Sequence, residues 1–284
     1  MRLTTKIVLG IIAAFFLINI IIIVCLSINY ERPITDKELR QEDIKMASID
    51  IPPYKVITLD MESNDNIYFT GTLNIHPLID ENEKKKWPFP DAGEKNKLLI
   101  TEKLKPNIRQ VLAGDTLKLY LKPSDDMMER KRDSRMYHTD SKIDLFLFTN
   151  SDINFKNNIF FISVNVNDIT ANSVNISTGG KVQLQNCNID TVNPIVRDNN
   201  ESFFFVRNLN IDNSRIDILN CKFMEDNELN INNSKIGTGN FSGYTNQAIV
   251  IPSNTFKKIN LVKQPDERAV NIEILSDTVQ FIFP

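Results

Sequence analysis

Leu209-Asn-Ile-Asp-Asn-Ser-Arg-Ile216 and Leu229-Asn-Ile-Asn-Asn-Ser-Lys-Ile236 are two copies of one phrase, and their recurrence decides the fold class. Variants read Val182-Gln-Leu-Gln-Asn-Cys-Asn-Ile189 and Ile216-Asp-Ile-Leu-Asn-Cys-Lys-Phe223, with a fainter copy at Phe146-Leu-Phe-Thr-Asn-Ser-Asp-Ile153. The common form is apolar-x-apolar-x-Asn-(Ser/Cys)-x-apolar. Its alternation puts Leu209 and Ile211 on one strand face and Asn210 and Asp212 on the other. Asn213 then breaks the strand, because asparagine tolerates left-handed backbone angles and its short amide bonds nearby peptide groups. Ser214 follows as a small residue, and Ile216 faces inward again on the next strand. Twenty residues separate the two clear copies, within the range for one coil of a stacked repeat. The copy at Ile216 would form another side of the same coil. From Val182 to Leu209 the spacing is 27 residues, with an inserted loop around Pro194, so the coils vary in length. The expected class is all-β: an N-terminal transmembrane helix, then a β-rich domain continuing into a parallel β-helix or solenoid. A sandwich of antiparallel hairpins is the competing architecture, but it calls for more Asn-Gly or Asp-Gly turns than the chain carries.

Working outward, the N-terminus holds a run from Ile7 to Tyr30 without a charged residue. At ~1.5 Å per residue it is long enough to cross a hydrocarbon core of ~30 Å. Arg2 and Lys6 precede it, so the positive-inside rule places the N-terminus in the cytoplasm and the remainder in the periplasm or outside the cell. A cleaved signal peptide has a shorter apolar region, and Cys25 as a lipid-attachment site lacks a small residue before it, where Val24 stands. Cys187 and Cys221 fall in the same slot of the phrase as Ser214 and Ser234. They are 34 residues apart, which leaves open whether they lie on adjacent coils or are bonded.

The parts follow in order: residues 1–30 as tip and anchor, 31–50 as a charged stalk, 51–141 as a β-rich region with polar insertions, and 142–284 as the repeat with capping strands. Tyr54-Lys-Val-Ile-Thr-Leu59, Ile67–Ile75 and Thr116–Leu121 read as strands, with Gly114-Asp115 as a turn into the last. Asp80–Lys97 and Ser124–Ser141 read as polar insertions. Val270–Leu275 and Val279–Phe283 supply closing strands that would cover an edge. A hydrophobic fraction of 42% is ordinary for a globular chain, and a net charge of −3 argues against general nucleic-acid binding.

In this order of parts the chain resembles the auto-transporter adhesin head (GIN) domain family of bacterial envelope proteins. The likeness rests on Tyr54-Lys-Val-Ile-Thr-Leu, Thr72-Leu-Asn-Ile, Gly114-Asp-Thr-Leu-Lys-Leu-Tyr-Leu and the β phrases after them, over roughly residues 51–236. It implies an exported, β-rich, non-enzymatic protein, and it carries over no functional residue. The chain departs from the family in using Asn-Ser and Asn-Cys where Ser-Gly-Ala-Ser phrases are usual.

No catalytic, metal or cofactor site is legible. Adjacent acidic pairs such as Asp125-Asp126 point to opposite faces of a strand and read as solvated turns. The two histidines, His76 and His138, have no motif around them. Gly179-Gly180 reads as a turn, not a phosphate cradle. Two stretches stand out as candidate binding residues. Arg130, Lys131, Arg132 and Arg135 form a basic cluster suited to an acidic glycan, an anionic headgroup or a partner protein, although neighbouring acids dilute its charge. Trp87 and Phe89, held by prolines, suit stacking on a sugar or partner, or packing over the core. The expected partners are the membrane, through Ile7–Tyr30, and a glycan or envelope protein. The expected role is structural or adhesive. A carbohydrate-active enzyme on the same scaffold and a subunit assembled through the anchor are the alternatives.

Overall fold

The fold follows from how the phrase pairs with itself. In the computed structural model Leu209 lies opposite Leu229, Asn210 opposite Asn230 and Ile211 opposite Ile231, in parallel. The described residues are 45–62, 67–68, 71–84, 87, 91–122, 128–129, 137–139, 143–157, 162–194, 208–223, 227–243, 248–262, 270 and 272–275. In chain order the first strands are β1 (Met46–Asp50), β2 (Val56–Met61), β3 (Ile67–Tyr68), β4 (Gly71–His76), β5 (Lys97–Thr101), β6 (Ile108–Ala113) and β7 (Thr116–Leu121). Then come β8 (Met128–Glu129), β9 (Tyr137–Thr139), β10 (Ile143–Phe148), β11 (Ile153–Asn157), β12 (Ile162–Asn167), β13 (Thr170–Ser177), β14 (Val182–Gln185) and β15 (Asn188–Pro194). The last are β16 (Asn208–Asp212), β17 (Arg215–Phe223), β18 (Glu228–Asn232), β19 (Lys235–Gly243), β20 (Ile249–Pro252), β21 (Phe256–Val262) and β22 (Ile272–Leu275). Helix among the described residues is limited to α1 (Glu81–Lys84) and a 3-10 segment at Glu102–Asn107. The described residues form an all-β structure.

From β10 to β19 the strands alternate between two sheets. One runs β1-β5-β10-β4-β12-β14-β16-β18, and the other β21-β19-β17-β15-β13-β11-β2-β7-β6. β20 pairs with β22 in a separate two-stranded sheet. Each strand pairs in parallel with its equivalent on the next coil, as β14 does with β16 and β17 with β19. Within these two sheets the antiparallel pairs lie at one end, where β5 joins β1 to the first sheet and β6 turns back on β7 through Gly114 at φ +60°. Glycine meets a left-handed angle there without steric cost.

Inward residues make one continuous apolar core. Leu209, Ile211, Ile216, Leu229, Ile231 and Ile236 are all buried, while Asn210 and Asp212 are half-buried and Asn230 and Asn232 exposed. The corner is as the phrase predicts. Asp168, Asn186, Asn213, Asn233 and Asn254 all take left-handed angles, from φ +48° to +57°. Behind them Cys187, Ser214 and Ser234 form a buried column. The Ser214 hydroxyl accepts from the Cys187 amide at 3.0 Å, and the Ser234 hydroxyl from the Ser214 amide at 3.0 Å. Replacing Asn213 by Ala should cost about 1 kcal/mol, because alanine keeps the Cβ that crowds the following carbonyl but loses the short amide through which asparagine tolerates this region. Asn213→Gly should be close to neutral, and urea midpoints of the two variants check the difference.

Several expectations are corrected. Ile216–Phe223 is not a turning copy of the phrase but lies inside the single strand β17. That strand bends where pairing skips Asp217, so Asp217 and Ile218 both face outward. The alternation resumes with Leu219, Cys221 and Phe223 inward. Cys221 therefore lies opposite Phe241 and does not share the corner slot of Cys187, and both thiols are buried and free. Burial raises the pKa of each. Met46–Asp50, assigned to the stalk, is strand β1 on the sheet edge. The insertion Ser124–Ser141 contains β8 and β9, which form a small sheet with β3. Strands on either side of the expected boundary at 141/142 pair directly, β4 with β10 and β2 with β11. Gly180 sits in the β13–β14 link, where a Cβ would lie 2.3 Å from the Ile162 carbonyl oxygen, so that turn needs glycine for close backbone approach. The proposed span Ile7–Tyr30 lies outside the described residues. Among the described residues no helix is long and apolar enough to cross a membrane.

Candidate functional site

The outer faces carry rows of amides fixed by one another. On the second sheet Asn175 donates to Asn154, Asn193 to Asn175, Asn220 to Asn193, Asn240 to Asn220 and Asn260 to Asn240. The last four of these bonds are 2.6–2.7 Å long. Every Nδ2 points toward the earlier coil, and the row ends where Asn154 donates to the Lys55 carbonyl at 3.2 Å. A shorter row on the first sheet joins Asn165 to Asn74 at 3.0 Å and Asn230 to Asn210 at 3.2 Å. Parallel register at ~4.8 Å brings identical amides within bonding reach.

The stack contains one topological irregularity. The layer formed by β2 and β4 is inserted between β7 and β10 on one side and β11 and β12 on the other. The link Thr149–Asp152 must therefore climb past that layer, a rise of about two strand spacings or ~9.6 Å. The climb uses residues that would otherwise begin β11, which starts at Ile153 opposite Val174. The first residues of β13 are left without a strand neighbour on that side. Asp152 takes their place, its Oδ1 accepting from the backbone amides of Asn172 at 2.9 Å and Ser173 at 3.1 Å.

The result is a surface groove of about 580 Å³ between Tyr54-Lys55, the climbing link, and the starts of β13 and β15. Asn154 is held in the amide row, and Asn150 Oδ1 accepts from the Leu78 amide at 2.9 Å. Lys55 is paired with Asp115 at 2.6 Å, and that bond raises its pKa. Burial pushes the Tyr54 phenol from its ordinary value of 10 up to about 12. Thr170, Asn172, Asn188 and Asp190 are exposed along the groove.

The residues singled out from sequence fall elsewhere. Arg130, Lys131, Arg132, Arg135 and Phe89 lie outside the described residues. Trp87 is half-buried and packs edge-on against His76 at 4.9 Å and Phe148 at 5.4 Å between ring centroids. Of its two sequence readings, stacking on a ligand and packing, the geometry favours packing. His76 is covered by this cluster, and burial lowers its pKa from 6.5, with Asp168 opposing more weakly. A lowered native pKa means the unfolded chain binds the proton more readily. Stability should therefore be full above pH 6.5 and decline as pH falls from there toward the native value. Melting curves between about pH 5 and 8 should show this slope, and His76→Phe should remove its share of it.

No family model and no curated relative matches the chain. Solved structures with likeness to it include a candidate adhesin from Bacteroides fragilis, 12% identical, covering 81% of this chain and 96% of that one with a TM-score of 0.43. A candidate lipid-binding protein from Parabacteroides distasonis is 11% identical over 82% and 96% of the two chains, with a TM-score of 0.32. A candidate cell adhesion protein from Clostridium sporogenes is 12% identical over 81% and 99%, with a TM-score of 0.23. Likeness at this level assigns neither ligand nor activity to the chain.

Proposed function

We propose that the chain is a membrane-anchored cell-envelope protein with a non-catalytic structural or adhesive binding role, its exported part wound as a parallel β-solenoid of the GIN-domain kind. The observation that carries this reading is the amide row from Asn154 to Asn260, a polar surface held in register by its own hydrogen bonds. Such a surface is rigid before a partner arrives, so little side-chain entropy is lost on contact. Alternation from β10 to β19 and repeated left-handed corners support the solenoid reading. The uncharged run Ile7–Tyr30 supports the anchor, with the N-terminus cytoplasmic and the remainder periplasmic or extracellular.

Protease treatment of intact cells and of spheroplasts tests the placement. The chain beyond Tyr30 should be digested in at least one of the two while an N-terminal tag survives. Digestion only after lysis would overturn it. Adhesion of the purified full chain, in mild detergent, to envelope fractions from the same cells tests the role. Retention without release of soluble fragments is expected, and failure to be retained would count against binding.

A further inference from the structure

We infer that the groove beside the climbing link is a binding site for a neutral, hexose-based oligosaccharide, with Asn172, Asn188 and Asp190 supplying its polar contacts. Three features lead there. The walls are fixed, since Asp152 and Asn154 are bonded to the protein itself and Lys55 is paired with Asp115. The exposed rim is different, carrying a hydroxyl, two amides and a carboxylate on two neighbouring strands. Thr170 and Asn188 are register partners, which sets them about 4.8 Å apart. That is on the order of the separation between non-adjacent hydroxyls of one pyranose ring. An amide offers both donors and acceptors and a carboxylate only acceptors, so together they suit groups that donate and accept at once.

Charge narrows the ligand further. Among the described lining residues Lys55 is the sole cation and is paired with Asp115, Arg215 opposite Asn188 on the next coil is paired with Asp217 at 3.8 Å, and Asp152 and Asp190 both border the space. A phosphate or uronate would meet two carboxylates with no unpaired cation to offset them. A hard divalent cation calls for several oxygen ligands with carboxylates among them, yet one Asp152 oxygen is occupied by two backbone amides. An uncharged ligand dense in hydroxyl groups meets neither obstacle. Tyr54 adds a ring along the groove, and its hydroxyl stays protonated. Ala171 lies opposite Ile189 in the next coil, so a small side chain occupies the row that is large above it.

The inference rests on the non-catalytic binding reading in one respect: the sugar is held and not cleaved. Titration calorimetry of the full chain in mild detergent, with linear hexasaccharides of glucose, mannose and galactose, tests it. At least one should bind, more tightly than hexagalacturonate. Asn188→Ala and Asp190→Ala should each weaken that binding about tenfold without moving the melting curve. Asn172→Lys, which fills the groove from an exposed position, should abolish it and serves if an alanine variant melts early. No binding of any neutral hexasaccharide up to about 10 mM would overturn the inference. So would binding that all three variants leave unchanged. Chromatography of the bound sugar separates the two readings. Binding with cleavage would uphold the groove and defeat the non-catalytic role, while retention on envelope fractions without any sugar binding would do the reverse.

Discussion

Ile211→Asp should leave no folded protein to purify. Ile211 is fully buried on β16, between Leu184 of β14 and Ile231 of β18. The site offers a carboxylate no partner and no water, and the cost exceeds about 5 kcal/mol, comparable to the whole stability of an ordinary domain. Its neighbour gives the control. Asn210 is half-buried on the outward face and accepts from Asn230 at 3.2 Å. Asn210→Asp keeps that acceptor and should fall within about 0.5 kcal/mol of the parent. Circular dichroism and limited proteolysis of the two variants distinguish them, and equal tolerance would refute the inward and outward assignment. Adjacent positions in one strand share the same backbone, so the contrast isolates burial.

The second large effect is expected at the centre of the amide row. Asn220 donates to Asn193 at 2.6 Å and accepts from Asn240 at 2.7 Å. Asn220→Asp removes the donor and brings a charged oxygen against the Asn193 carbonyl, while the Asn240 amide still donates. A loss of about 2–4 kcal/mol is expected, against about 1–3 kcal/mol for Asn220→Ala, which takes one bond from the Asn193 carbonyl and one from the Asn240 amide but leaves them partly wet. The two variants also differ in their response to acid. A carboxyl facing an acceptor has its pKa raised by folding, so protonation is favoured in the folded state and restores an O–H donor. Asn220→Asp should therefore recover part of its deficit relative to the parent as pH falls toward about 4, and Asn220→Ala should not. Denaturant titrations at two pH values measure this, and a parallel loss in both variants would count against the row as a bonded unit.

The row also shows where reading along the chain stops. Successive bonded asparagines are 21, 18, 27, 20 and 20 residues apart. Only the last two intervals match the spacing of the clear phrase. Asn175 and Asn193 sit in stretches that do not resemble it, and Asn220 looks like a corner asparagine because Cys221 follows it. The bend at Asp217 shifts the inward parity by one residue and turns that apparent corner into mid-strand. The same position goes unpaired between coils at Asn172, Asp190, Asp217 and Gly237, so the bend belongs to the stacked coils and not to one local stretch of sequence. The groove is further from view. Tyr54, Asp152, Asn172 and Asp190 share no motif and meet only because the layer of β2 and β4 is inserted between later and earlier strands.

Local physics, legible in the residues themselves, determined that the described residues are all-β, that Leu209, Ile211, Leu229 and Ile231 face inward, and that Asn213 and Asn233 turn left-handed. Alternation has a period of two, and a left-handed corner depends on one residue's own side chain, so neither requires knowledge of distant neighbours. Tertiary structure alone decided which coils stack on which, that the link Thr149–Asp152 climbs past a layer, and that a polar groove opens where it does. Pairing across tens of residues is chosen by how closed coils fit together, and no single segment carries that information.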